Sequence, residues 1–458
     1  MVVAVRSALT VAVALLCAEA PVQPQGVAAR DRQVILISID GFAAFHLDNP
    51  AIDLPNIRAL AAAGTRASAS ESVFPSMTHP AHTTLVTGVT PRQHGVVNNR
   101  VTDRRSGERF HITNLPRASS VRVPTLFDRV HASGRRTAAL FWPETKDDRA
   151  IDDNIAEVFD DREVADPAAV SPALLAELRA AGVPIDSYYA FYDDSFAQGA
   201  ADLALTRAAV HLLKTRKPAL LALHLLAADK AQHEVGPNHY LAHAALSTAD
   251  YCVGILRKAV DDAGLAQQVT FVIAADHGFV TVRDEVNVAP VVEDAELKSV
   301  MTWRADGWYV WGERRPGFDP ARHGPALDRV LKRAAALPGV ARVVRPGEFH
   351  ALGYPEYDEN PYVPGHVLIA GRVDTHLVLN AAEADTSRRP KARPYHGHGY
   401  LPDDRSMDAV LVLSGAGIAT HTPALGRVRN TDVAPTIAAL LGIELPGATG
   451  RVLITSMP

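Results

Sequence analysis

The chain has 458 residues, of which 47% are hydrophobic and 21% charged, so it can bury a large core and wholesale disorder is excluded. Its formal charge of −5 is small for this length and argues against a nucleic-acid-binding surface. Only Cys17 and Cys252 are present, so we expect the core or bound metals, and not disulfides, to hold the fold.

The first 20 residues have the pattern of a cleaved secretory signal. Arg6 precedes an apolar run over residues 8–18, and small residues follow ahead of Pro21. The run is too short to span a bilayer, and we find no other stretch long and apolar enough to do so. We predict an exported protein, periplasmic or secreted, with no transmembrane segment after cleavage. A buried N-terminal helix and a lipid anchor at Cys17 are the alternatives.

Buried strands alternate with helices along the first half of the chain. Continuous apolar runs predict strands over residues 34–39, 137–142, 219–226 and 268–275. Helical patterns cover residues 56–63, 195–214 and 239–263. This alternation indicates a βαβ architecture, in which functional residues gather at the carboxyl ends of the strands.

The pattern changes between residues 283 and 394. A β-like segment rich in aromatic residues covers 303–311, a helix is predicted from Pro325 to residue 336, and prolines and tyrosines concentrate over 354–364. The α/β pattern then returns with a strand at 409–414 and a helix at 432–441.

These patterns together predict the fold class. We expect a doubly wound, mostly parallel sheet sandwiched by helices, formed by residues 31–282 and 395–458. Residues 283–394 would form an inserted cap subdomain.

A hydroxyl residue, Thr78, lies between a Phe-Pro pair and a His-Pro pair. Pro80 suits an early position of the helix predicted over residues 81–87, which places Thr78 at a helix N-terminus. Free N–H groups and the helix dipole favour an anion there, so the hydroxyl could meet a phosphate. The alternative is an ordinary N-cap threonine that does no chemistry.

Four segments, each after a buried strand or beside glycines, offer potential metal ligands: Asp40; Asp229 with His233; Asp276 with His277; and His398, for which His396 is the alternative. Mixed carboxylate and imidazole ligands suit zinc, and also manganese or iron. Residues 229 and 233 are four apart, so one helical turn places both on one face. Six ligands divide naturally between two metals, which can clamp the attacking and leaving oxygens of a phosphoryl transfer.

In order and spacing, these motifs resemble the alkaline phosphatase superfamily, and within it the nucleotide pyrophosphatase/phosphodiesterase family. The resemblance covers roughly residues 34–443. It is carried by Ile39-Asp40-Gly41, Phe74-Pro75-Ser76-Met77-Thr78, His94-Gly95-Val96-Val97-Asn98-Asn99, Asp229-x-x-x-His233, Ala275-Asp276-His277-Gly278, His398-Gly399-Tyr400 and Thr431-Asp432-Val433-Ala434-Pro435-Thr436.

The resemblance implies two zinc ions, with other divalent metals as alternatives. It assigns one ion to Asp40, Asp276 and His277 beside Thr78, and the other to Asp229, His233 and His398. Thr78 would be both a metal ligand and the nucleophile, passing through a phosphothreonine intermediate. Asn99 and the backbone N–H of His79 would donate to a phosphoryl oxygen.

Three residues depart from the patterns of relatives. Family members that prefer nucleotides often carry Phe or Tyr directly after the nucleophile, whereas this chain has His79, which either flanks the site or contacts substrate. Monoesterases of the superfamily use a Lys-x-Arg pair, but Lys146 and Arg149 are one residue further apart. They are either solvated charges or a monoester-binding pair.

We therefore predict a two-zinc hydrolase of phosphodiester or pyrophosphate bonds that acts on a phosphorylated small molecule, with a nucleotide as one candidate. A phosphomonoesterase is the first alternative. A phosphonate hydrolase and a non-catalytic ligand-binding relative are remoter ones. A sulfatase is disfavoured, because Thr78 is not the Cys or Ser from which the sulfatase nucleophile forms.

Overall fold

The structure is a computed structural model that describes residues 27–158, 169–186, 197–419 and 424–454. The predicted signal segment, with Cys17, lies outside the described residues, as do the first two residues of the helix predicted over 195–214. Within the described ranges, no helix has the length and apolar character needed to cross a membrane.

The strands and helices are numbered in chain order. Strands β1 to β17 are Gln33–Ile39, Thr65–Glu71, Arg100–Thr102, Arg109–His111, Thr137–Trp142, Asp153–Ala156, Leu220–Leu225, Val269–Ala274, Val280–Asn287, Met301–Ala305, Tyr309–Arg314, Val340–Val344, Val367–Gly371, Thr375–Val378, Arg389–Gly397, Leu411–Gly415 and Leu425–Arg429. Helices α1 to α13 are Ala44–Leu47, Pro55–Ala63, Thr78–Thr87, Pro91–His94, Arg117–Ser120, Leu126–Ala132, Pro172–Ala180, Gln198–Thr215, Ala227–Val235, Tyr240–Asp262, Ala289–Val292, Pro320–Ala335 and Val433–Leu441.

An eight-stranded sheet lies at the centre, with the order β17-β2-β16-β8-β1-β7-β5-β6. From β8 to β6 all neighbouring strands pair in parallel. β16 is the exception, because it runs antiparallel to both β8 and β2. The sheet is therefore mixed but mostly parallel, and the predicted fold class is confirmed.

Alternation along β1 divides the core into two layers. Ile35, Ile37 and Ile39 pack in a cluster with residues of α2, α8 and α10 on one face. Val34 and Leu36 pack with residues of α6 and α13 on the other. Every residue of β1 is buried, which explains its unbroken apolar run.

The segment predicted as a cap contains a second, antiparallel sheet with the order β10-β11-β13-β12. One face of this sheet shares an apolar cluster with α12. The other face, with Tyr309 and Trp311, packs against Phe74 and Val97 from the stretch around α3. The sheet is thus anchored beside that helix, while the cap boundaries at residues 283 and 394 stay a prediction.

Helix α12 begins at Pro320, and not at Pro325 as the sequence pattern indicated. Asp319 caps the helix by accepting a hydrogen bond from the Ala321 N–H, and Pro320 occupies the first turn, where a missing N–H is tolerated. Pro325 lies inside the helix. Because an interior proline usually breaks a helix, the pattern favoured the later start.

Candidate active site

Thr78 is the first residue of α3, and Met77 is the N-cap. The whole of α3 is buried, and Thr78 itself is 8% exposed. Its Oγ1 lies 3.5 Å from Nε2 of His277. The ordinary N-cap alternative does not describe this arrangement, because the Thr78 hydroxyl faces a cluster of acidic and imidazole groups.

The six predicted metal ligands converge beside this hydroxyl. Asp40 follows β1, Asp229 and His233 lie on α9, Asp276 and His277 follow β8, and His398 follows β15. The potential donor atoms form two sets, and within each set all atoms lie within 4.8 Å of one another. One set comes from Asp229, His233 and His398, and the other from Asp40, Asp229 and His277. The carboxyl ends of β1 and β8, both turns of α9 and the end of β15 therefore bring together residues that are far apart in the chain.

Asp229 belongs to both sets and lies at the centre of the cluster. Its carboxylate oxygens lie 3.4 Å from Nε2 of His233 and 3.6 Å from Nε2 of His398. Asp276 lies at the edge, where Oδ1 accepts a hydrogen bond from the Gly41 N–H and Oδ2 lies 3.0 Å from Nε2 of His277. The cluster is a candidate metal site.

Unsatisfied buried oxygens fit bound cations at this place. Oδ1 of Asp40, Oδ1 of Asp229 and Oδ2 of Asp276 are buried and have no hydrogen-bond partner among the described residues. Such atoms are costly to bury unless something compensates their charge. Burial, with the neighbouring carboxylates of Asp229 and Asp276, raises the pKa of Asp40 well above its ordinary value. A divalent cation would relieve this repulsion.

The three histidines predicted as ligands all present Nε2 to the cluster, because the Nδ1 of each faces a backbone carbonyl. The acceptors are His396 for His233 at 2.8 Å, Gly278 for His277 at 3.1 Å, and Ser76 for His398 at 3.0 Å. An Nδ1–H that donates in this way leaves the Nε2 lone pair for a metal. His396 instead lies with its own Nδ1 3.0 Å from the Thr281 hydroxyl, and it belongs to neither set. The geometry favours His398.

Two glycines permit the tight turns that carry these ligands. A Cβ on Gly278 would lie 1.9 Å from the carbonyl oxygen of Ser406. Gly399 has a φ of +107°, and a Cβ there would lie 2.8 Å from Sδ of Met77. A side chain at either position would therefore displace the adjoining histidine, His277 or His398.

A hydrogen bond connects the backbone of His79 to the side chain of Asn99. The backbone N–H of His79 donates to Oδ1 of Asn99 at 2.9 Å. This hydrogen bond orients the Asn99 side chain beside Thr78 and leaves its Nδ2 as the donor that it can offer to a substrate.

The His79 side chain points into the protein. It is 1% exposed, with Nδ1 2.6 Å from Oε1 of Glu144 and Nε2 3.9 Å from Oε1 of Glu157. Burial by itself would lower the pKa of His79, but the two carboxylates raise it. His79 therefore lies behind Thr78, buried between two carboxylates.

Glu144, Glu157 and His224 were not singled out by the sequence analysis, yet they complete this network. His224 lies with Nε2 3.1 Å from Oδ2 of Asp40 and Nδ1 3.5 Å from Oε2 of Glu157. A continuous buried path thus connects a predicted ligand to the residue after Thr78. The one signal in the sequence was a histidine inside the apolar run of β7, which a buried strand tolerates only with polar partners.

The loop after β5 places Glu144 beside His79. The same loop carries Lys146 and Arg149, for which a monoester-binding role was one of two alternatives. Lys146 is half-buried and Arg149 is exposed. Neither residue lines the cleft that opens beside Thr78.

Asp202 on α8 anchors the start of α9, the helix that carries Asp229 and His233. Its carboxylate oxygens accept hydrogen bonds from the N–H groups of Leu226 and Ala227 at 3.0 and 3.2 Å. The residue is fully buried. Burial raises the pKa of Asp202 to about 6, although both backbone hydrogen bonds act in the opposite direction.

Replacing Asp202 with asparagine should remove part of the pH dependence of stability. Between its ordinary value of 3.8 and about 6, the folded protein binds this proton more tightly than the unfolded chain, so the free energy of unfolding falls as pH rises. A shift of about two units corresponds to on the order of 3 kcal/mol. Urea unfolding of metal-free protein at several pH values would measure the difference between wild type and variant. If the difference in the free energy of unfolding between wild type and variant stays constant with pH, the raised pKa of Asp202 is contradicted.

A cleft of about 510 Å³ opens beside Thr78. Met77 and Asn99 line it on the side of α3, and Arg304, Asp306 and Trp308 line it from the second sheet. Trp311 also reaches the cleft, whereas Trp303 packs in the cap core. The cleft therefore extends from Met77, the residue before Thr78, to the predicted cap.

Comparison with known proteins identifies the family. Residues 34–400 match the family model for type I phosphodiesterase / nucleotide pyrophosphatase. The chain belongs to this family. The predicted resemblance is thereby confirmed.

Relatives of the phosphodiesterase family are distant in sequence. The chain is 24% identical over 248 residues to ectonucleotide pyrophosphatase/phosphodiesterase family member 3 of Rattus norvegicus, and 25% identical over 253 residues to venom phosphodiesterase 2 of Crotalus adamanteus. Each alignment covers 54% of this chain but 24% and 26% of the relative. The chain therefore spans about a quarter of the length of these curated relatives.

Solved structures share the phosphodiesterase fold over nearly the whole chain. Murine ectonucleotide pyrophosphatase / phosphodiesterase 5 superimposes with a TM-score of 0.66 at 18% identity, covering 92% of this chain and 98% of that chain. An inactive threonine-to-alanine variant of the murine protein, in complex with AMP, superimposes with a TM-score of 0.66 at 17% identity. This superposition covers 92% of this chain and 97% of that chain.

Proposed function

We propose that this chain is a metal-dependent hydrolase of phosphodiester or pyrophosphate bonds in which Thr78 is the nucleophile. One observation carries the proposal: Asp40, Asp229, His233, His277 and His398 form two overlapping groups of potential metal ligands, and Nε2 of His277 lies 3.5 Å from the Thr78 hydroxyl at the start of a buried helix. The family membership supports the same reaction class.

We assign the ligands to two ions, with zinc as the first candidate. Asp40, Asp276 and His277 would hold the ion beside Thr78, and Asp229, His233 and His398 would hold the other. Asp229 also belongs to the group formed with Asp40 and His277, so its carboxylate could serve either ion. When bound, such cations lower the pKa of a nearby hydroxyl and offset charge on the phosphoryl oxygens.

The chain's own residues then perform the transfer. Thr78 Oγ1 gives its proton to solvent and forms a bond to phosphorus while the bond from phosphorus to the leaving oxygen breaks, and the leaving oxygen takes up a proton from water. Nδ2 of Asn99 donates to a non-bridging oxygen, where negative charge develops. Water then cleaves the phosphothreonine and restores the hydroxyl.

The substrate that we propose is a phosphorylated small molecule such as a nucleotide. The family name and the AMP complex of the murine neighbour support this choice. The ectoenzyme and venom enzyme among the relatives support an exported location. A phosphomonoesterase is disfavoured, because Lys146 and Arg149 do not line the cleft.

A paired assay on zinc-loaded protein tests this function. We expect kcat/KM for the p-nitrophenyl ester of thymidine 5′-monophosphate to exceed that for p-nitrophenyl phosphate by at least about 100-fold, since the cleft offers contacts to the second ester group. A preference for the monoester would assign the protein to the phosphatases. Protein that turns over neither ester, with or without zinc, would favour the non-catalytic alternative.

A further inference from the structure

His224 is a polar residue at the centre of the main sheet. It lies on β7, which pairs in parallel with β1 and β5, and its side chain is fully buried. In this register His224 is the neighbour of Ser38, and Asp40 follows Ser38 by two residues. Side chains two residues apart project from the same face of a sheet, and Nε2 of His224 lies 3.1 Å from Oδ2 of Asp40.

The two oxygens of Asp40 have different surroundings. Oδ2 faces the His224 ring, and since an ionised carboxylate can only accept, the ring is the donor of this hydrogen bond. Oδ1 has no hydrogen-bond partner in the described part of the chain and lies 3.4 Å from Nε2 of His277. The contact with His224 therefore leaves the unpaired oxygen of Asp40 facing a second predicted ligand.

Asp276 shows the same division of its oxygens. Oδ1 accepts a hydrogen bond from the Gly41 N–H at 3.1 Å, while Oδ2 is unpaired among the described residues and lies 3.0 Å from Nε2 of His277. The two carboxylates thus each present one free oxygen to the same imidazole. The backbone orients Asp276, whereas a side chain orients Asp40, so a substitution can remove only the second of these supports.

The His224 ring is also fixed on its other side. Nδ1 lies 3.1 Å from the Phe141 carbonyl and 3.5 Å from Oε2 of Glu157. The rings of His82 and Phe141 pack against it, with centroid distances of 4.1 and 6.1 Å. A rotated ring would lose oxygen contacts at both nitrogens, so the packing holds Nε2 toward Asp40.

The backbone of β5 is distorted where it meets His224. The register between β5 and β6 shifts between Leu140 and Trp142. Phe141, which lies between them, has a φ of +56°, a conformation that is rare for a residue with a bulky side chain. Such distortions persist where the surrounding structure compensates for them, and they concentrate at functional sites. Here the distorted residue is the one whose carbonyl contacts Nδ1 of His224.

We propose that His224 is a positioning residue for the ion beside Thr78. Its hydrogen bond to Oδ2 of Asp40 directs Oδ1 of the same carboxylate to the cation. His224 does not bind the ion itself, because its two nitrogens already face Asp40 and the Phe141 carbonyl. This inference rests on the proposed function and adds a residue that supports the same site.

Two substitutions at His224 test the hydrogen bond. His224→Met fills a similar volume without a donor, whereas His224→Gln keeps an N–H that can reach Oδ2 of Asp40. Competition with a chromophoric chelator measures the dissociation constants of the two zinc ions. In His224→Met we expect one zinc to bind as in wild type and the other about 10- to 100-fold more weakly, the usual effect of losing a partner of a ligand. His224→Gln should bind that zinc about threefold or more tightly than His224→Met.

His323→Met is the matched control. His323 is also buried, but it lies on α12, where its Nδ1 accepts a hydrogen bond from the Asp319 N–H. It belongs to neither set of donor atoms. The same substitution there should leave both dissociation constants unchanged.

A crystal structure of the zinc-loaded wild type tests the inference without any substitution. We expect Asp40 to bind the ion through Oδ1 alone, with Nε2 of His224 within hydrogen-bond distance of Oδ2. Coordination through Oδ2, or through both oxygens, would overturn the inference even if the His224 variants fail to fold.

The outcomes distinguish this inference from the function on which it rests. In His224→Met, equal weakening of both zinc ions would indicate general structural damage, and unchanged binding would indicate no role. Either result would overturn the inference alone, as would a His224→Gln protein that binds zinc no better than His224→Met. Wild-type protein that binds no zinc and hydrolyses neither ester would overturn both.

Discussion

Replacing Thr78 with alanine should lower kcat on an aryl phosphodiester by about 10³-fold or more while the metal content stays the same. The hydroxyl forms the covalent bond to phosphorus in the proposed reaction, and loss of a nucleophile removes the whole pathway. Thr78 lies at the N-terminal end of α3, whereas most of the candidate metal ligands lie on α9 or directly after β1 and β8. Loss of the Thr78 hydroxyl should therefore leave their positions unchanged. Steady-state kinetics and elemental analysis of the same preparation measure both quantities.

Two variants control for folding and for the loss of a buried hydroxyl. Thr78→Ser keeps an attacking oxygen and should retain measurable turnover. Thr87→Ala removes a buried threonine from the other end of the same helix, where Oγ1 donates only to the Thr83 carbonyl. It should remain close to wild type in activity. A Thr78→Ala protein with near-wild-type rates would refute the assignment of the nucleophile.

Replacing Asp229 with asparagine should lower both the zinc content and the activity more than any other single change in the cluster. Asp229 is the one residue shared by the two sets of donor atoms, so its charge supports both positions. We expect less than two zinc ions per chain at moderate zinc concentration and a fall in kcat/KM of about 10²-fold or more. Excess zinc should restore part of the activity, because the asparagine oxygen remains a weak ligand.

His396→Ala is the matched control for the metal assignment. His396 is two residues from His398 in the sequence, but it lies outside both sets of donors and contacts Thr281. Its replacement should keep two zinc ions bound, whereas His398→Ala should lose one. The opposite pattern would make His396 the ligand and would require a different arrangement of β15.

Much of the candidate site was predictable because its signals are local. Asp40 and Asp276 each follow an apolar strand that must end at the edge of the sheet, and the strand pattern alone indicates that edge. Asp229 and His233 are four residues apart on α9, so helix periodicity places them on one face. Pro80 indicated the helix start that presents Thr78.

The direction of β16 was not predictable in this way. A strand buried on both faces has the same apolar run whether its neighbours are parallel or antiparallel, because burial depends on layers and not on strand direction. Only the tertiary structure shows that β16, which follows β15, pairs antiparallel with both β8 and β2.

The sequence by itself determined the family and the fold class and supplied the candidate metal ligands, since these follow from residue type and short spacing. Only the tertiary structure decided that His79 turns inward to Glu144, which is 65 residues away, and that His224 contacts Asp40, 184 residues away. It also decided that arginines from a hairpin and from a separate sheet line one cleft. The physical reason is that residue type alone fixes the charge and shape of a side chain. Which group that side chain contacts depends on which segments the packed core brings together.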